Sequence, residues 1–108
     1  MVSKRYYVYL APYRDRRGSA VYVGCTNDVK RRTREHVMGR SNFLGARGST
    51  IPHVVVESVH ETLVDARRRE REVKNWSSGR KRISSRPAEG WRPWSVVCGI
   101  AIYNPHEF

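Results

Sequence analysis

The stretch VYVGCTNDVKRRTREH, residues 21–36, crowds chemically capable side chains together. An apolar, strand-like run holds Tyr22 and ends in Gly24. A polar turn follows, and a helix then carries a row of cations that finishes in His36. Arg32 and His36 are four residues apart, so they stand one helical turn above each other. Guanidinium groups make forked contacts with phosphate oxygens, and an imidazole titrates near neutrality. A further candidate lies downstream. On a helical wheel Leu63, Ala66, Glu70 and Val73 share one stripe, so a carboxylate sits among core positions, while Glu72 falls on the opposite side. An unpaired buried carboxylate is costly. Glu70 therefore needs a structural arginine, a cation or a water-filled cleft, and the wheel leaves those readings open.

Charge narrows the partner. Twenty-one Lys and Arg oppose ten Asp and Glu, a formal net charge of +11. Such self-repulsion points to a polyanion, and nucleic acid is the partner expected. Lys30, Arg31 and Arg34 on the first helix, Arg40 and Arg47 in the next loop, and Arg80 and Lys81 further on are the candidate contacts. No run approaches the roughly 18 apolar residues of a membrane span, and the first residues lack the apolar core of a signal peptide. Two cysteines, Cys25 and Cys98, suit a reducing, cytoplasmic setting. They lack the close spacing of structural zinc ligands. The length suits one domain, residues 1–108.

Certain elements must position these groups. Residues 5–11 read as a strand, 12–20 as a hairpin loop, and 20–24 as an antiparallel second strand. Thr26 or Asn27 caps a helix, with Asp28 in its first turn. Val29, Thr33 and Val37 form its stripe, and it fades near Gly39. Residues 39–50, GRSNFLGARGST, read as a loop. A third strand starts after Pro52. Thr62 and Asp65 resemble a capping box that opens a helix over 63–76. Basic, turn-rich chain follows Gly79, and 94–103 read as a fourth strand with a bulge at Gly99. The pattern predicts an α+β fold: a small, mostly antiparallel sheet of three to four strands flanked by helices.

YVY at 7–9, YVG at 22–24, the Arg32-to-His36 helix and Glu70 within ARRREREVKNW together resemble the GIY-YIG nuclease superfamily. The chain looks most like its short stand-alone members, over residues 5–82. The resemblance implies a metal-dependent endonuclease that hydrolyses DNA phosphodiesters, nicking with low sequence specificity. Tyr9, Tyr22, Arg32, His36 and Glu70 would be catalytic, with Glu70 holding a single Mg²⁺ or Mn²⁺. Tyr22 is the expected general base and His36 its rival, with Tyr9 and His36 contacting water or phosphate. Gly24 would let the backbone approach substrate. The chain departs from the pattern in four places. The first motif lacks its glycine. Cys25 stands where several relatives carry lysine, which leaves that cation to Lys30 or Arg31. The asparagine that some members place beyond the glutamate has no counterpart, and residues 83–108 match nothing in the family. The competing reading is a catalytically silent nucleic-acid-binding module with the same fold and the same basic surface.

Overall fold

A computed structural model describes residues 4–38 and 50–107. Arg40 and Arg47, with nearly all of the 39–50 stretch, lie outside the described residues. Eight elements follow in order: β1 (Tyr6–Asp15), β2 (Gly18–Thr26), α1 (Val29–Val37), β3 (His53–His60), α2 (Leu63–Lys74), α3 (Ser78–Ser84), β4 (Ser95–Val97) and β5 (Ile100–Tyr103). The fold is α+β, as the pattern predicts. The strands form one sheet in the order β2-β1-β3-β5-β4.

Three details differ from the sequence reading. The first hairpin is tighter, because Asp15 pairs with Gly18 and only Arg16 and Arg17 make the turn. Residues 12–20 are mostly strand: Tyr13 pairs with Ala20 and Arg14 with Ser19, and Gly18 supplies the positive φ of 123°. The single strand expected over 94–103 is instead a second hairpin. Cys98 and Gly99 both take positive φ, 51° and 79°, and reverse the chain between β4 and β5. Gly99 is thus a turn residue rather than a bulge. The basic stretch after residue 77 is helical, because Ser77 caps it by accepting a hydrogen bond from the Arg80 amide.

β3 and β5 run parallel, while the other pairs are antiparallel. A parallel pair needs a long crossover, which the chain carrying α2 and α3 supplies. The period of two on β1 separates the two faces. Val8 and Leu10 pack with Val23, Ala66 and Val73 beneath α2. Tyr9 and Ala11 face the other way, into a core with Val29 of α1, Val54, Val56 and Ile102. The α2 stripe turns inward at Ala66, Glu70 and Val73, and Thr62 caps the helix through the Asp65 amide. α2 is also clamped to the sheet. Arg69 Nε donates to Glu57 Oε1 at 2.9 Å, and although burial works against the Glu57 charge, these hydrogen bonds hold its pKa below the ordinary value. Among the described residues no helix is long and apolar enough to cross a membrane, and Cys25 and Cys98 are both free thiols.

Candidate active site

The β1–β2 register pairs Tyr9 with Gly24 directly. A Cβ at position 24 would lie 2.4 Å from the Tyr9 hydroxyl oxygen, so only glycine leaves room for that ring. Gly24 is buried in mid-strand and the turn comes after Thr26. Its work is therefore to receive Tyr9, not to bring the backbone up to substrate or to start the turn.

α1 delivers His36 and Arg32 onto the same tyrosine. Its N-cap is Asp28, which accepts from the Arg31 amide, and the Thr26 hydroxyl supports the preceding turn by accepting from the Asp28 amide. The inward face of α1 is Val29, Thr33 and His36; Val37, expected in the stripe, is exposed. His36 Nε2 lies 2.8 Å from the Tyr9 oxygen, and His36 is only 3% exposed. Burial, and then the Arg32 cation, lower its pKa to about 4, so the imidazole is neutral at pH 7. Burial, followed by the neighbouring Tyr22, pushes the Tyr9 phenol well above its ordinary value. Tyr9 therefore keeps its proton, and its hydroxyl and His36 Nε2 share a hydrogen bond whose donor follows the imidazole tautomer, while His36 Nδ1 is buried with no partner among the described residues. Tyr9 and His36 thus form a buried layer, out of reach of the water or phosphate that the sequence reading assigned to them.

In front of that layer lies an open cleft of about 420 Å³ at the end of edge strand β2, between α1 and α2. Tyr22, Arg32 and Glu70 line it, with Arg31, Glu35 and Arg67 around them. The Tyr22 ring is edge-on to His36 with centroids 5.2 Å apart, and 6.1 Å from the Tyr9 ring. Burial opposes the charge on Arg32, but hydrogen bonding with Tyr22, Glu35 and Tyr9 more than restores it and raises its pKa above the ordinary value. One guanidinium thus ties the buried layer to the cleft surface.

Glu70 is 6% exposed. Its Oε1 lies 3.2 Å from Arg67 Nη1 and its Oε2 3.2 Å from Lys74 Nζ. Both partners sit on the solvent side of Glu70's own helix, with side chains 59% and 54% exposed. Only the cations are half exposed, the carboxylate being buried, so the pairs are partly screened and among the described residues no interior arginine holds Glu70. It lines the cleft, with each carboxylate oxygen beside a cation of its own helix. Its nearness to β2 registers at Cys25, where burial and then the Glu70 charge push the thiol pKa up.

The donor chemistry fits a hard cation that brings its own water. Among the described residues no group of three or more His, Cys, Asp or Glu is arranged to hold a metal. A nearly buried carboxylate on an open, polar cleft can still bind Mg²⁺, which keeps several waters and takes only one or two carboxylates beside substrate oxygens.

The remaining candidates separate. Arg31 lines the cleft and is the cation found where Cys25 replaces lysine. Lys30 does not line it; its Nζ sits 4.9 Å from the Trp94 ring centroid. Arg34 borders a shallow depression with Arg31, Glu35 and Met38. Arg80 stacks 3.8 Å from the Trp76 ring centroid on α3, and Lys81 beside it is half-buried. Glu35 is the functional neighbour that sequence reasoning missed. Its pairs with Arg32 at 3.0 Å and Arg31 at 3.3 Å follow from i,i+3 and i,i+4 spacing, which was there to be read.

The chain from β1 to the end of α3, which holds this cleft, is matched at the level of sequence by the family model for the GIY-YIG catalytic domain, over residues 5–84. The chain belongs to that family, whose members are nucleases acting on nucleic acids. No curated protein and no solved structure shows significant similarity to it.

Proposed function

We propose that the protein is a metal-dependent endonuclease that nicks DNA with little sequence preference. The observation carrying this reading is the meeting of Tyr22, Arg32 and Glu70 on one open cleft, although they come from β2, α1 and α2. Arg31, Arg32 and Arg67 draw the phosphate backbone into the cleft. Tyr22, acting as the phenolate beside the Arg32 guanidinium, accepts the proton of the attacking water and becomes the neutral phenol, and Arg32 compensates the charge that builds on the phosphoryl oxygens. His36 does not compete for this role, because its Nε2 is occupied by Tyr9 and it is screened from the cleft. Tyr9 and His36 instead fix the position of Arg32 and Tyr22. A divalent cation held at Glu70 would polarise the scissile phosphate and steady the leaving oxygen.

The silent binding module remains the competing reading, since the net charge of +11 serves it equally well. Incubation with plasmid, single-stranded and branched DNA, in Mg²⁺ or Mn²⁺ and again in chelator, separates the two. Metal-dependent nicking that Arg32→Ala reduces supports the enzyme. Salt-sensitive retention of DNA without metal-dependent cleavage supports the module.

A further inference from the structure

A second concavity, of about 600 Å³, lies in the chain that follows the matched family region, among Trp91, Arg92, Trp94, Tyr103 and Asn104. We propose that it is a stacking subsite for an unpaired nucleotide of the DNA strand flanking the cut. This deepens the nuclease reading and rests on it for the strand's identity.

Four observations carry it. Three aromatic residues, Trp91, Trp94 and Tyr103, line the pocket, and Trp91 is 40% exposed, so its ring is open to a ligand. Aromatic faces hold single-stranded bases whatever their identity, because every base has a π-face. Asn104 in the wall is only 5% exposed, yet its Nδ2 has no acceptor among the described residues. Its Oδ1 is already taken by the His106 amide at 3.1 Å. The unmet group is thus a donor, and every nucleobase offers an acceptor edge. The charge also suits a nucleotide: Arg92 lines the pocket, and the Glu107 carboxylate is neutralised by Arg5 at 2.9 Å and accepts the Tyr7 hydroxyl at 3.1 Å. Finally, Lys30 connects this pocket to the cleft. It lies over Trp94, and the next residue on α1, Arg31, lines the cleft. A strand leaving the cleft along the start of α1 meets a cation and then the aromatic pocket.

The subsite makes the substrate class one with unpaired nucleotides beside the cut: a flap, an overhang or a branch. The test is fluorescence anisotropy in chelator, with a blunt DNA duplex and the same duplex bearing a single-stranded overhang, read as the ratio of the two affinities. The wild type should favour the overhang about ten-fold or more, the scale of one base–aromatic stack. Trp91→Ala should bring the ratio close to one, and Trp91→Phe, which keeps a stacking face, should restore most of it. A ratio that Trp91→Ala leaves unchanged overturns the subsite, as it would if a peptide or a second copy of the chain fills the pocket. Because no cleavage is measured, this failure is distinct from failure of the nuclease reading, which is decided by metal-dependent cleavage of plasmid, single-stranded and branched DNA.

Discussion

At the scale of the residue, the buried Tyr9–His36 pair has consequences that can be measured. The pKa of His36 falls from an unfolded value near 6.5 to about 4 in the fold. Between those values the unfolded chain binds a proton that the folded chain does not, so acid favours unfolding. The contribution of neutral His36 is complete above about pH 6.5 and is lost progressively as pH falls through about 4. The melting temperature of the wild type should therefore fall more steeply from pH 7 to pH 5 than that of His36→Gln. Equal slopes would contradict the neutral imidazole. The rate profile carries a second sign of the same state: kcat/KM should show no inflection between pH 6 and 7. Of the candidate site, the sequence pointed to Tyr22, Arg32 and Glu70, which the fold brings to one cleft, but not to the depth of Tyr9 and His36. Spacing joined Arg32 to His36 correctly, yet it gave no sign that a tyrosine would cover the imidazole and remove it from solvent. That depends on the register of two strands.

At the scale of the element, the same register makes a sharp demand. Gly24 faces Tyr9 across the β1–β2 ladder. Gly24→Ala should cost about 1–3 kcal/mol in chemical denaturation, the scale of overpacking a tight interior. It should also slow cleavage, because Tyr9 must move and Arg32 moves with it. Full activity and stability in this variant would mean that the ring has room elsewhere. At the start of α1, Asp28→Ala should cost about 1 kcal/mol through loss of the cap on the Arg31 amide. α1 and α2 were legible because each has one buried stripe, and β1, β2 and β3 as runs of β-branched and aromatic residues. α3 was not legible, since none of its residues is buried and its pattern is basic all round. The β4–β5 hairpin was hidden by Cys98, a residue type that rarely signals a turn with positive φ.

At the scale of the whole molecule, the excess of eleven positive charges is spread unevenly in its work. Arg69 is held by Glu57 and Glu72, so it belongs to the packing of α2 rather than to a free binding surface. Arg31 and Arg67 line the cleft. DNA affinity should fall linearly with the logarithm of salt concentration, and Arg67→Ala should reduce the slope by about one. An unaltered slope would place the backbone elsewhere.

The central claim is that Glu70 serves cleavage and not folding or affinity. The direct measurement is conversion of supercoiled plasmid to the nicked form in Mg²⁺ by the wild type and by Glu70→Gln, beside their affinities for the same DNA in chelator. The account predicts that Glu70→Gln binds at least as tightly and does not nick. Nicking by Glu70→Gln at the wild-type rate would contradict it.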